Sequence, residues 1–340
     1  METALTKSLN ISFPLIMAPM FLVSNQKMME EAMNNGIAGV FPTLNYRNPE
    51  QLKSTILALN QFKQKLPGSG NYGVNLIVQK SNPTYLKHLA ICAEARVPFY
   101  ITSLGNPAQV IEEAKIYGAK VFCDVTNLTH AQKAASMGCD GFVAVGMGAG
   151  GHAGNFPLSL LVPALKKAFP QLPVMAAGGL ADGAGIVSVM ALGADAAYMG
   201  TRFIASREAP VSDAYKQAIV AAKMGDIVLS ERLSGTPSNI INTPYAQKIG
   251  YHQNWFEHLL NTNQTTKKYF KMLTQLRGMK KLEASVKPGN YNNLWSAGQS
   301  VELINDIKSI TEIIIQLKQE TYLAFKDLKI KFEADLPRGH

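Results

Sequence analysis

Eight short apolar runs, each followed by a stretch with helical spacing, constrain this chain more than any other feature. The runs are Pro14–Met20, Ile37–Phe41, Tyr72–Val78, Phe99–Leu104, Lys120–Val125, Gly141–Gly146, Val174–Gly179 and Ala196–Thr201. Most lack polar alternation, as expected of parallel strands buried on both faces. Between them, Asn25–Asn35, Pro49–Lys65, Pro83–Ala95, Pro107–Tyr117, Thr129–Met137, Leu158–Phe169 and Gly183–Leu192 space their apolar residues three and four apart. Strand and helix alternating to eight strands predict an α/β fold, the (β/α)8 TIM barrel. A doubly wound sheet competes, but it carries its nucleotide fingerprint after the first strand, where this chain has Ala18-Pro19-Met20.

The alternation stops near residue 210. Ser212–Met224 and Trp255–Leu276 read as helices, and Gly235-Thr236-Pro237 and Lys287-Pro288-Gly289-Asn290 as breaks. Val301–Phe325 reads as one long amphipathic helix with Leu303, Ile307, Ile310, Ile314, Leu317 and Tyr322 on a stripe. The expected organisation is a barrel over residues 1–214, a helical cap over its mouth at 215–290, and a helix returning to the barrel at 291–330.

The chain is 47% hydrophobic and 17% charged, which suits a large core and argues against disorder. Cys92, Cys123 and Cys139 form no CxxC pair, a reduced intracellular pattern, and no HxxxH or HExxH motif or Cys/His cluster calls for a metal. No stretch approaches the roughly 18 apolar residues of a membrane span, so a cytoplasmic protein is expected. The net charge of +9 is uneven, with eight Lys/Arg against two Glu between Lys248 and Lys287. No nucleic-acid motif accompanies that charge, so it reads as a solvated face or a steering patch for an anionic substrate or acidic partner.

Chemistry concentrates at the C-terminal ends of the runs, where barrels of this kind keep their active sites. The sixth run leads into Gly146–Gly154, with five glycines in nine residues around a single imidazole, His152. Glycines let a backbone approach a ligand closely, and imidazole moves protons near neutral pH. At the seventh and eighth exits, Gly178-Gly179 and Gly200-Thr201 stand where phosphate is held in this fold, with a helix from Asp182-Gly183 adding its dipole. Asn75 sits inside an apolar strand and needs a partner, either structural or the edge of a heteroaromatic ligand. Asp124 reads as a helix cap near Thr126-Asn127 in preference to a ligand contact. Tyr245, Tyr251, His252 and Trp255 are candidates for lining a pocket in the cap.

Four stretches then carry a resemblance: Pro14-Leu15-Ile16-Met17-Ala18-Pro19-Met20, Gly148-Ala149-Gly150-Gly151-His152-Ala153-Gly154, Ala176–Gly183 and Ala191–Phe203, with Trp295-Ser296-Ala297-Gly298-Gln299 as a later fifth. Together they resemble the nitronate monooxygenases, formerly 2-nitropropane dioxygenases, in order and spacing across nearly the whole chain. The resemblance implies non-covalent FMN with its phosphate at the seventh and eighth exits. Carried over by position, Ala18, Met20, Asn75, Gly150, Gly151, Gly178, Gly179, Tyr198, Met199, Gly200 and Thr201 would contact the cofactor, and His152 would be the catalytic residue. The implied reaction converts an alkyl nitronate and O2 to a carbonyl compound and nitrite. The chain departs from the common pattern at Gly148, where many relatives have Glu, and at Ala153, often Arg or Ile. FMN-dependent enoyl-[acyl-carrier-protein] reductases share the barrel and the GGH loop, NAD(P)H:quinone reductases are a third oxidoreductase reading, and a non-catalytic flavin-binding barrel is a fourth.

Overall fold

The computed structural model describes residues 1–79, 81–231, 237–252 and 294–335. Eight parallel strands close into a barrel in the order β1 (Leu15–Met17), β2 (Ala38–Pro42), β3 (Asn71–Ile77), β4 (Phe99–Ser103), β5 (Lys120–Val125), β6 (Gly141–Val145), β8 (Val174–Ala177) and β9 (Ala196–Met199). β9 returns to pair with β1, placing Tyr198 beside Ile16. The strand and helix alternation read from the sequence is the architecture observed.

Residues two apart along each strand face the same side, which divides the core into two layers. Ile16, Val40, Phe99, Ile101, Phe122, Val143, Met175 and Tyr198 fill the barrel interior. Their strand neighbours Met17, Phe41, Tyr100, Val121, Phe142 and Met199 pack outward under the surrounding helices. Those helices start where the sequence supplies side-chain acceptors: Asn25 bonds the Met28 N–H, Asn127 the His130 N–H, and Asp182 the Gly185 N–H.

Three elements differ from the sequence expectation. A short helix, Ala4–Leu9, precedes the barrel, and its Leu5 and Leu9 join the interior cluster. The Asn71 side chain at the start of β3 donates to the Leu9 carbonyl at 2.7 Å, so this helix plugs the N-terminal end. Second, the described part of 215–290 is not wholly helical. It contains an antiparallel ribbon, β10 (Ile227–Ser230) with β11 (Ser238–Ile241), and β11 also pairs with β7 (Gly151–His152).

Third, the terminal helix spans Ile310–Asp335, so it starts nine residues after Val301, where the sequence pattern places its beginning. Ser309 and Glu312 set that start: the Ser309 N–H donates to Glu312 Oε2 at 2.7 Å and the Glu312 N–H to Ser309 Oγ at 3.2 Å, a reciprocal cap. Upstream, Gln299–Leu303 forms a 3-10 turn, and Leu303 and Tyr322 are exposed. Ile310, Ile313, Ile314 and Leu317 do return to the barrel, where this helix packs on the helix Gly183–Ala191. No helix among the described residues is long and apolar enough to cross a membrane.

Candidate active site

The loop after β6 is held from three directions. The Asn239 side-chain amide on β11 donates to the Met147 carbonyl at 3.0 Å and the Ala149 carbonyl at 2.8 Å. The Gly148 carbonyl accepts from the Gly179 N–H at 3.1 Å and the Gln299 N–H at 3.2 Å. Gly150 lies against the Ala297–Gly298 backbone, where a Cβ would stand 2.7 Å from the Gly298 nitrogen. Gly150 is therefore required by packing, whatever else the loop does. Between these anchors, Gly151 turns at φ +66° and His152 emerges as an exposed residue paired with Ser238.

The Trp295–Gln299 segment ties this loop to the barrel. Trp295 stacks on Tyr215 at 5.3 Å between centroids, and the Tyr215 hydroxyl donates to the Ser296 carbonyl at 2.6 Å. The Gly298 N–H then reaches Thr201 Oγ1 at 3.0 Å. Thr201 begins a one-turn helix, Thr201–Ile204, whose first closed bond runs from the Phe203 N–H to the Gly200 carbonyl. The N–H groups ahead of that bond have no partner inside the helix.

Gly200 and Gly179 occupy the two strand exits differently. A Cβ on Gly200 would make ordinary contact, 3.6 Å from Ala18 Cβ and 3.7 Å from Met20 Cγ. Gly179 sits at φ +74° with nothing within 4 Å of the position a Cβ would take. Gly178, at φ +122°, faces the Ala149 backbone so closely that a Cβ would stand 2.8 Å from the Ala149 nitrogen. The helix from Gly183 does not lend its N-terminus to this region, contrary to the sequence expectation. Its Gly183 N–H donates to Glu320 Oε2 at 3.0 Å and its Gly185 N–H to Asp182 Oδ1 at 2.7 Å, so two carboxylates occupy it.

Inside the mouth, Asn75 finds structural partners: its amide donates to the Ile101 carbonyl at 3.2 Å and to Ser103 Oγ at 2.7 Å. Ser103 donates in turn to Asp124 Oδ2. The preferred reading of Asp124 as a helix cap is corrected here, because Asn127 performs that role with the His130 N–H at 2.8 Å. Asp124 instead points inward, two residues after inward-facing Phe122, and burial pushes its carboxyl up to about 6 against the opposing pull of the Ser103 hydroxyl. Asp124 Oδ1 and the Tyr198 hydroxyl are buried with no hydrogen-bond partner among the described residues.

Of the residues named from the sequence, Ala18, Met20, Asn75, Gly178, Gly179, Tyr198, Gly200 and Thr201 gather at the C-terminal end of the barrel. Met199 sends its side chain outward, and its carbonyl accepts from the Ala18 N–H at 2.8 Å. Trp255 and most of the basic stretch Lys248–Lys287 lie outside the described residues. Tyr245 and Tyr251 pack against Ile240, Ala246 and Leu294. Sequence reasoning missed Ser103, Asn239 and the clamping role of Gly298. Ser103 was detectable, because it lies two residues after inward-facing Ile101.

A family profile described as nitronate monooxygenase matches residues 2–320 of this chain. A probable nitronate monooxygenase of Staphylococcus saprophyticus is 29% identical, over 94% of this chain and 98% of its own. A Rhodococcus jostii protein named (3aS,4S,5R,7aS)-5-hydroxy-7a-methyl-1-oxo-octahydro-1H-indene-4-carboxyl-CoA dehydrogenase is 26% identical, over 92% of this chain and 94% of its own. Among solved structures, FabK from Thermotoga maritima superposes with a TM-score of 0.82 at 29% identity, covering 97% of this chain and 99% of its own. The nitroalkane oxidase of Streptomyces ansochromogenes shares the fold, with a TM-score of 0.80 at 22% identity, covering 96% of this chain and 100% of its own. The match over nearly every residue of the barrel and of the Trp295–Gln299 clamp means that this chain belongs to the nitronate monooxygenase family.

Proposed function

We propose that this chain, an oxidoreductase by family membership, binds FMN at the barrel mouth and oxidises alkyl nitronates with O2 to carbonyl compounds and nitrite. The observation that carries the reading is the presentation of His152, exposed on a loop whose flanks are clamped by Asn239, Gly179 and Gly298. An imidazole carried on a held backbone is what proton transfer or anion binding at a reacting centre requires.

The mouth fits a mononucleotide. Gly179 leaves open space against its backbone, and a Cβ at Gly200 would meet the protein only at ordinary contact distance, through Ala18 and Met20. Backbone N–H groups at the Gly200-Thr201 exit would hold the phosphate, and Gly179 would leave it room without donating, because its own N–H is taken by the Gly148 carbonyl. Ala18 and Met20, the nearest neighbours of Gly200, would pack along the ring. Asn75, Gly150, Gly151, Gly178, Tyr198 and Met199 complete the proposed contacts, Met199 through its backbone. FMN supplies the redox chemistry when bound, and the protein supplies orientation and electrostatics. His152 takes a proton from a neutral nitroalkane or, carrying a proton, holds the nitronate anion. The basic balance of the chain, +9 overall, favours an anionic small molecule as the second ligand.

Anaerobic mixing with propionate 3-nitronate, followed by flavin absorbance, tests the reading. Bleaching by the nitronate alone is the expected result. Bleaching by NADH, with none by nitronate, would move the chain to the FMN-dependent reductases, a reading that the similarity to FabK keeps in view.

A further inference from the structure

Two buried polar atoms stand without a partner among the described residues, on side chains that both face the barrel interior: Asp124 Oδ1 and the Tyr198 hydroxyl. Tyr198 lies in the interior cluster, and Asp124 follows inward-facing Phe122 by two residues. Native folds leave few such atoms unmet, and each one calls for an explanation.

The hydrogen bonds around Asp124 have a direction. The Asn75 amide donates to Ser103 Oγ, and the Ser103 hydroxyl donates to Asp124 Oδ2. The chain of donors therefore ends at a carboxylate whose second oxygen remains an acceptor. Tyr198 is the complementary group. Burial, then the nearby Asp124 charge, pushes its phenol well above the ordinary value, so it keeps its proton and can donate. One unmet acceptor and one unmet donor turned into the same interior match a ring edge that offers both N–H and C=O. The pyrimidine part of an isoalloxazine has that edge.

We infer that Asp124 accepts an N–H of the FMN pyrimidine ring while the Tyr198 hydroxyl donates to an adjacent ring carbonyl. Together the two recognise the cofactor and set its reduction potential. The inference rests on the FMN reading above. A carboxylate at this edge opposes the negative charge that builds on a reduced flavin, and a hydroxyl donor stabilises that charge. Removing each should shift the potential in opposite directions, which a merely structural role would not produce.

The test measures FMN affinity and midpoint potential by dye-coupled reductive titration of the holoprotein, with wild type, Asp124→Asn and Tyr198→Phe. Asp124→Asn should raise the preference for reduced over oxidised FMN at least tenfold, about 30 mV for a two-electron couple. Tyr198→Phe should lower the potential, and both should bind oxidised FMN more weakly. Wild-type potentials in both variants with full FMN content would overturn the inference and leave water as the partner of these atoms. If Asp124→Asn does not fold, an unshifted potential in Tyr198→Phe overturns it alone. A wild-type protein that takes up no FMN would remove the FMN reading itself, and this inference with it.

Discussion

The Gly179 N–H donates to the Gly148 carbonyl at 3.1 Å, joining the end of β8 to the loop that carries His152. The contact is tight: a Cβ on Gly148 would stand 3.0 Å from that same nitrogen. The departure from Glu at position 148 thus coincides with a backbone-to-backbone seam between the imidazole loop and the proposed phosphate exit. Displacing the loop would displace both.

Asn239 tests how much that seam matters. Its amide holds two loop carbonyls and lies far from the proposed phosphate exit in sequence. Asn239→Ala should cost about 1–2 kcal/mol of stability, since both carbonyls belong to residues that are not fully buried and water can replace part of each bond. Turnover should fall by roughly tenfold or more with FMN content retained, because small misplacements of a reacting group are expensive. A variant with wild-type turnover would show that Gly148 and Gly150 hold the loop without it.

The two exit glycines should respond differently to alanine. Gly200→Ala meets only ordinary contacts at 3.6 Å, so the apo-protein should keep its melting midpoint while FMN affinity falls. Gly179→Ala forces a Cβ onto φ +74°, so stability itself should drop by roughly 1 kcal/mol. Isothermal titration with FMN and thermal melts of both apo-variants separate the two effects. Undiminished FMN binding in Gly200→Ala would move the phosphate elsewhere.

Stability of the apo-protein should carry the signature of Asp124. Its carboxyl titrates near about 6 in the fold and near ~3.9 in an unfolded chain. Between those values the folded state holds a proton that the unfolded chain has released, so stability falls as pH rises through the window and is level above it. The span corresponds to roughly 2–3 kcal/mol. Asp306, whose burial is outweighed by Lys308 and Arg202 so that its carboxyl sits low, works oppositely and loses its contribution as pH falls. Denaturant midpoints of wild type minus Asp124→Asn, from about pH 4 to about pH 7, isolate the Asp124 slope. A difference independent of pH would mean that the carboxyl is not held up by burial.

What the sequence made legible follows from where burial is two-sided. Runs such as Val174 to Ala177 or Ala196 to Met199 are covered on both faces and show as continuous apolar residues. β10 offers only the three apolar residues Ile227–Leu229, none of them fully buried, and so short a run escaped notice. The helix Ala4–Leu9 spans under two turns, too few for a periodic signal. At the C-terminal helix an apolar stripe beginning at Leu303 masked the Ser309–Glu312 cap, a local signal that decided the boundary. Asp124 was misread for a related reason. A strong capping residue, Asn127, follows it closely, while counting by two from Phe122 would have turned it into the barrel.

His152 carries the sharpest prediction. Its backbone is fixed by pairing with Ser238, and the flanking carbonyls are held by Asn239, so His152→Asn should leave the loop and the FMN content unchanged. If the imidazole takes the proton from a neutral nitroalkane, turnover of that substrate should fall by about 10²–10⁴-fold, the usual worth of a general base. Turnover of the preformed nitronate should fall far less, because its proton is already gone. Equal large losses on both substrates would assign His152 to holding the anion instead. Steady-state kinetics with nitroethane and with ethylnitronate, at matched flavin content, separate these outcomes, and wild-type rates on both would remove His152 from the chemistry.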